Sequence, residues 1–238
     1  MKKLFLLFTV LTISNHLFSQ SVVIHKYGGL KDTVAVAVVD SITFLPFQCG
    51  LSKIRYSNIV YNTVQIGSQC WLKENLNVGT MQGPANNGVI DKYCYNNDTV
   101  NCTTYGGLYQ WNEAMQYVTT EGAQGICPVG WHMPTYAEYQ TLKDTVLNDG
   151  NSLKAVGQGA GAGAGTNTTG FSALLAGGKG YSGGPFQALG TWATFYMGQQ
   201  GYSSAYACAV QIDAASNTIN LMNGTMVSWG MSVRCLKN

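Results

Sequence analysis

The side chains able to do chemistry in this chain are few, and their spacing excludes more than it allows. Of the three histidines, His16 lies in an N-terminal apolar segment, which leaves His25 and His132 as imidazoles. A Ser-His-Asp or Cys-His arrangement would have to use one of these two. His132 stands between Trp131 and Met133 just ahead of a helix cap, where a structural role is expected. The seven cysteines, at positions 49, 70, 94, 102, 127, 208 and 235, include no C-x-x-C pair. That speaks against a zinc ribbon or a thioredoxin-like redox site. No catalytic residue, metal site or cofactor is expected.

Two segments are candidates for holding a ligand. Gly157 to Gly165 alternates Gly with Gln or Ala and starts as G-x-G. A phosphate-cradling loop would follow a strand and carry a P-loop lysine; this run follows a helical pattern and has none, so a flexible surface loop is expected. The other segment, Tyr181 to Tyr206, spaces Tyr181, Phe186, Trp192, Phe195, Tyr196, Tyr202 and Tyr206 among Gly and Ser, with Lys179 the only nearby charge. Aromatic faces stack on sugars or peptides at modest entropic cost. Tyr181, Trp192, Tyr196, Tyr202 and Tyr206 are therefore the candidate ligand-binding residues. The competing reading places most of these aromatics in the core of an irregular domain.

The elements that position these residues follow an export signal. Lys2 and Lys3, the apolar run Leu4 to Ile13 and a polar stretch ending at Ser21 have the layout of a signal peptide over residues 1–20. An apolar run of that length rises only about 15 Å as a helix, too short for a hydrocarbon core of roughly 30 Å. No later apolar run reaches the roughly 18 residues a transmembrane helix needs. An extracytoplasmic protein, secreted or held at the cell surface, is expected. Removing Lys2 and Lys3 takes the formal net charge from +2 to zero, so there is no electrostatic case for nucleic acid or an anionic membrane. In an oxidising compartment disulfides are the default. Cys94 and Cys102 are the best single pair, since the Asn-Asn-Asp-Thr-Val-Asn between them is turn-forming. The other pairings are open at this point.

Residues 21–48 read as a small β adapter and linker: Val22 to Tyr27, then Gly28-Gly29, then alternating Val34, Val36 and Val38, with Ile42 and Phe44 beyond. The main domain, 49–238, opens with a strand from Ile59 to Ile66 that turns at Gly67-Ser68 into Cys70-Trp71-Leu72. A short helix is expected over Tyr109 to Tyr117. A second, from Thr135 to Leu147, carries a capping box in Thr135 and Glu138 and a buried stripe of Tyr139, Leu142 and Val146. Ala205–Ile212, Thr218–Met222, Thr225–Trp229 and Ser232–Leu236 form an antiparallel meander, with Asn223-Gly224 as a hairpin marker.

Five stretches carry a family resemblance. They are Tyr61-Asn-Thr-Val-Gln-Ile-Gly-Ser-Gln-Cys-Trp-Leu-Lys-Glu-Asn-Leu76, Tyr93-Cys-Tyr-Asn-Asn97, Asn101-Cys-Thr-Thr-Tyr-Gly-Gly-Leu-Tyr-Gln-Trp111, Gly125-Ile-Cys-Pro-Val-Gly-Trp-His-Met-Pro-Thr135 and Ser232-Val-Arg-Cys235. Together they resemble the Fibrobacter succinogenes major paralogous domain family from about Cys49 onward. The family's function is uncharacterised, so the resemblance supplies no reaction. The adapter resembles short N-terminal units, ending in Asp-Ser-Ile-Thr-Phe, of exported Bacteroidetes-type proteins. Trp131-His-Met-Pro-Thr-Tyr-Ala-Glu-Tyr139 is similar to a stretch of formylglycine-generating-enzyme-like domains, and Ser232-Val-Arg-Cys235 to their closing Gly-Phe-Arg. This implies an α+β, C-type-lectin-like domain with two short helices, long irregular loops and the C-terminal meander.

The chain departs from the family at Phe195-Tyr-Met-Gly-Gln199, where members have a Trp-Ser-Ser-Ser-like stretch, and at Cys208, where they have an aromatic. The resemblance thus implies that Cys49, Cys70, Cys94, Cys102, Cys127 and Cys235 are paired and that Cys208 is free; between the small residues Ala207 and Ala209 of a meander strand, that thiol is expected to be half-buried and inert. Six cysteines allow fifteen pairings. Beside Cys94–Cys102, Cys127–Cys235 is favoured, leaving Cys49–Cys70. The calcium-dependent sugar motifs of C-type lectins are absent, Trp111-Asn112-Glu113 being the nearest string. The expectation is a non-catalytic binding or adhesion module for a glycan or protein ligand. The alternatives are a structural envelope component docking through the adapter's strand edge and, less favoured, an enzyme. Formylglycine-type oxidase chemistry would need a reactive cysteine pair, for which Cys208 and Cys235 are candidates by elimination only.

Overall fold

Ser-Val-Val-Ile-His and Lys-Asp-Thr-Val-Ala, on either side of the Gly28-Gly29 turn signal, pair as antiparallel strands β1 (Ser21–His25) and β2 (Lys31–Ala35), with Ser21 opposite Ala35. The structure is a computed structural model that describes residues 21–25, 31–35, 46–181 and 183–238. The expected signal peptide and the adapter positions Val36, Val38, Ile42 and Phe44 lie outside the described residues. The chain divides into two units, Met1–Pro46 and Phe47–Asn238.

The second unit opens on strands β3 (Lys53–Tyr56), β4 (Ile59–Ile66) and β5 (Gln69–Leu72). Ser57 and Asn58, with φ of 48° and 64°, make the two-residue turn between β3 and β4, whose positive dihedrals match the strand twist. Short pairs β6 (Thr80–Met81) and β7 (Asp91–Lys92) follow, then helices α1 (Thr99–Tyr105) and α2 (Trp111–Ala114). Next come β8 (Trp131–His132), α3 (Tyr136–Thr145) and α4 (Gly150–Leu153). The last part holds β9 (Gly178–Lys179), β10 (Phe186–Gln187), β11 (Trp192–Gln200), β12 (Tyr206–Asp213), β13 (Ile219–Met226) and β14 (Leu236–Lys237). The architecture is α+β, built on a five-stranded sheet of order β3-β4-β5-β14-β8 and a three-stranded sheet β11-β12-β13.

Several sequence expectations change here. There are four α-helices among the described residues rather than two. The Asn-Asn-Asp-Thr-Val-Asn stretch is more than a turn, because the Asp98 carboxylate accepts from the Val100 amide at 2.9 Å and starts α1. The helix expected over Tyr109 to Tyr117 shortens to one turn, since Gln116 and Tyr117 adopt φ of 50° and 60°. Asn223-Gly224 does not turn the chain: both residues stay inside β13, which remains paired with β12 from Ile219 to Met226 through a register shift between Ala207 and Ala209. The first strand of that sheet, β11, arises from the aromatic segment, and of Ser232–Leu236 only Ser232 stays beside it, bridged to Phe195. Leu236 lies instead opposite both Trp71 of β5 and His132 of β8.

The glycine-rich run also differs from expectation. It is closed on itself by a hydrogen bond from Gly165 N to Gln158 O at 2.8 Å and held against the strand connection by one from Ala160 N to Ala214 O at 3.0 Å. A Cβ on Gly163 would stand 2.0 Å from the Ala214 carbonyl oxygen, so the glycines permit close backbone packing.

Strand alternation divides the interior of this unit. Ala193, Phe195, Met197, Cys208, Val210 and Ile212 pack with Trp71, Tyr139, Leu142 and Phe171, while Tyr196, Ala207 and Ala209 belong with Trp111, Trp131, Met133 and Leu72. The three disulfides are Cys49–Cys70, Cys94–Cys102 and Cys127–Cys235, with Cα separations of 5.8, 4.9 and 5.9 Å. Cys208 is free and buried rather than half-buried. Its Sγ lies 3.4 Å from the Gln200 carbonyl oxygen, and burial pushes the thiol pKa up, which disfavours the reactive thiolate.

The capping box forms as expected: Thr135 Oγ1 accepts from Glu138 N at 3.2 Å and the Glu138 carboxylate accepts from Thr135 N at 2.8 Å. The same carboxylate meets His132 Nε2 at 3.0 Å, and His132 Nδ1 lies 2.7 Å from Asn238 Oδ1. The hydrogen bond to Glu138 raises the His132 pKa above its ordinary 6.5. Burial alone would raise Glu138, but hydrogen bonds from His132 and Thr135 outweigh it and the net shift is below 4.5. The raised histidine stabilises the fold below pH 6.5 and loses that effect as pH climbs through its folded value. The lowered carboxylate stabilises above pH 4.5 and loses that effect as pH falls through its own. Their joint contribution therefore peaks between those two values. Glu138→Gln is expected to cost about 1 kcal/mol there, allowing for solvent screening of this half-buried pair, and less toward pH 8. Urea midpoints of both proteins across pH 4–8 check this; a difference that does not vary with pH would refute the ion-pair part.

Candidate functional site

Several clefts open on the second unit among the described residues, one of about 570 Å³ lined in part by Phe47, Gln69, Glu138 and Lys237. Another, about 510 Å³, lies between the end of α1 and residues 73–77 and has Arg234 in its wall. Most of its polar groups are already paired within the protein. Glu74 accepts from the amide and side chain of Asn62 at 2.8 and 2.6 Å, and Asn75 donates to the Tyr105 carbonyl at 2.9 Å. A third cleft, about 370 Å³, lies on the meander and differs in this respect.

Its walls follow from strand pairing. The two-residue period turns Trp192 and Thr194 of β11 to one face while Ala193 and Phe195 go to the core. Cross-strand register puts Gln211 of β12 opposite Thr194, and Asn220 of β13 opposite Gln211. Tyr206, Met222, Thr225, Met226 and Met231 complete the wall together with Trp229, which follows β13. Trp192, Tyr206, Gln211 and Trp229 are half-buried. None of the residues lining the cleft is charged, and between Lys179 and Arg234 the single charged side chain in the sequence is Asp213.

Of the five candidate ligand-binding residues, the structure brings Trp192 and Tyr206 into this cleft. Tyr202 stands at its rim, 66% exposed, its ring stacked on Tyr206 with centroids 4.4 Å apart. Tyr181 is exposed in the β9–β10 turn and does not line the cleft. Tyr196 is a correction: it is fully buried, because its ring fills the interior and its hydroxyl donates to the carbonyls of Met226 and Trp229, 2.5 and 3.0 Å away. Burial holds that hydroxyl protonated, with its pKa well above 10. Tyr196 thus anchors the segment bearing Trp229 rather than touching a ligand.

Sequence reasoning missed Trp229, Gln211, Thr194 and Thr225. The uncharged run continuing to Arg234 was the available signal for Trp229. The other three depend on strand register, which the residues alone do not reveal. Elsewhere, Glu113, from the string nearest a lectin calcium motif, is buried and accepts from Asp91 N at 3.0 Å and from the Tyr117 hydroxyl at 3.1 Å.

Residues 64–237 match the Fibrobacter succinogenes major domain. The chain belongs to that family. The Fibrobacter succinogenes major domain of this chain therefore contains β5, all four helices, the meander and every residue of the uncharged cleft. No curated protein and no solved structure matches the chain. Among the described residues, no helix is long and apolar enough to cross a membrane.

Proposed function

We propose that this protein is an exported, non-catalytic binding module of the cell surface or extracellular space, and that it takes its ligand in the cleft between Trp192, Tyr206 and Trp229. The observation that carries this reading is three half-buried aromatic rings converging on one uncharged opening. Singly exposed rings are ordinary on a folded surface; three that line one opening are what supports a recognition role. Aromatic residues clustered around a desolvated pocket are the usual anchors of recognition.

The architecture supports a C-type-lectin-like assignment: β14 returns beside β5 near the domain's start, a long irregular stretch follows α4, and the meander comes late. The three disulfides support an oxidising compartment, and the N-terminal pattern supports a signal peptide.

Arrays of oligosaccharides and random-sequence peptides, probed with the wild-type full chain and with Trp229→Ala, test this reading. The variant is expected to lose about 2 kcal/mol of affinity, roughly thirty-fold, with near-ultraviolet circular dichroism confirming a retained fold. Binding that survives both Trp229→Ala and Trp192→Ala would remove the cleft from consideration.

A further inference from the structure

Resting on the binding-module reading, we infer that the ligand of this cleft is a neutral, pyranose-based oligosaccharide. Three observations converge on this. The first is charge: no lining residue carries one, so the cleft offers no counterion to a uronate, a phosphorylated sugar or a charged peptide, and desolvating such a group there would be costly.

The second is the inventory of unpaired polar groups. Among the described residues, the Thr194 and Thr225 hydroxyls, the Gln211 carboxamide and the Trp192 and Trp229 indole N–H groups make no side-chain hydrogen bond to the protein. Two hydroxyls and a carboxamide both donate and accept, and the indoles donate. An apolar peptide side chain seated here would bury these groups without partners, each carrying a penalty. A sugar ring presents its C–H face to the aromatic rings and its hydroxyls to the half-buried Gln211, Trp192 and Trp229, while Thr194 and Thr225 are buried. The site is built to reject a ligand lacking hydroxyls, which is the strongest kind of discrimination a pocket can make.

The third is the shelf outside the cleft. Tyr202 stacks on Tyr206 at 29° between ring planes and lies over Gly224, where a Cβ would stand 2.9 Å from the Tyr202 ring. That exposed platform continues the aromatic surface beyond the 370 Å³ opening and provides a place for a second sugar ring. The ligand is therefore an oligosaccharide rather than a monosaccharide.

Titration calorimetry of the full chain with cellohexaose, xylohexaose and mannohexaose, against hexagalacturonate and a leucine- and phenylalanine-rich hexapeptide, tests the inference. At least one neutral oligosaccharide is expected to bind, with an affinity that barely changes with salt because no charge is involved. Gln211→Leu, which keeps the side chain's size, is expected to weaken it about ten-fold, and Tyr202→Ala to weaken the hexaose but not the corresponding disaccharide. Preference for hexagalacturonate, or no binding of any neutral oligosaccharide, overturns the inference. Hexapeptide binding that Gln211→Leu leaves unchanged or tightens also overturns it, while leaving the cleft as a binding site. Loss of the site itself is read separately, from the tryptophan variants on the arrays.

Discussion

Replacing Cys127 and Cys235 together by alanine is expected to lower the unfolding free energy by about 4 to 5 kcal/mol, a large part of a typical domain's 5 to 15. The crosslink closes a loop with a sequence separation of 108, and the entropy it removes from the unfolded chain grows with loop length. Both sulfurs are fully buried. The Cys235 carbonyl also accepts from the Leu72 amide at 3.0 Å, so the bridge ties the connection before β8 to β5 at the centre of the larger sheet. The corresponding change at Cys94 and Cys102, separated by 8, is expected to cost only about 2 to 3 kcal/mol on the same argument. Guanidinium midpoints of the two double variants decide the matter. Equal losses would show that loop entropy is not what makes the longer bridge valuable.

Arg234→Ala is expected to cost about 3 to 5 kcal/mol, by the mechanisms of an emptied buried site and stranded acceptors. The guanidinium is among the largest fully buried side chains. It donates through Nη1 to the Phe171 carbonyl and through Nη2 to Asn75 Oδ1. Its plane lies over the Phe171 and Phe195 rings, 4.2 and 5.2 Å from their centroids. Burial pushes its pKa down to about 10, which leaves it charged at neutral pH, so a cation stacked on aromatic faces is the state being replaced. Arg234→Lys is expected to recover less than half of the loss, because an ammonium cannot reproduce the planar fork that reaches two acceptors while stacking. Thermal or denaturant unfolding of both variants checks this, and a lysine variant as stable as the wild type would refute the fork argument.

These two residues also show what could be read ahead of the structure. Cys235 and Arg234 share one short terminal stretch, Ser232-Val-Arg-Cys235, whose family resemblance implied the paired cysteine but not the burial of its neighbour. Arginine is rarely buried, so nothing local announces that Phe171, Phe195 and Asn75 will enclose it.

What the sequence determined by itself is everything whose energy is local. The β4 strand emerges at Ile59–Ile66 from its own alternation. The α3 helix begins at Thr135 because Thr135 and Glu138 satisfy each other's amides within a single turn. The Cys94–Cys102 bridge follows from a short span. What only the tertiary structure decided is whatever depends on pairing between distant segments. The register that sets Thr194 beside Gln211, the bulged β13 that overrides the Asn223-Gly224 turn signal, and the insertion of β14 between β5 and β8 all join residues far apart in the chain. A one-residue slip in such a register moves every side chain to the opposite face. The same aromatic segment could therefore have been core or surface. The fold divides it, sending Phe195 and Tyr196 inward and leaving Trp192, Tyr202 and Tyr206 around the cleft.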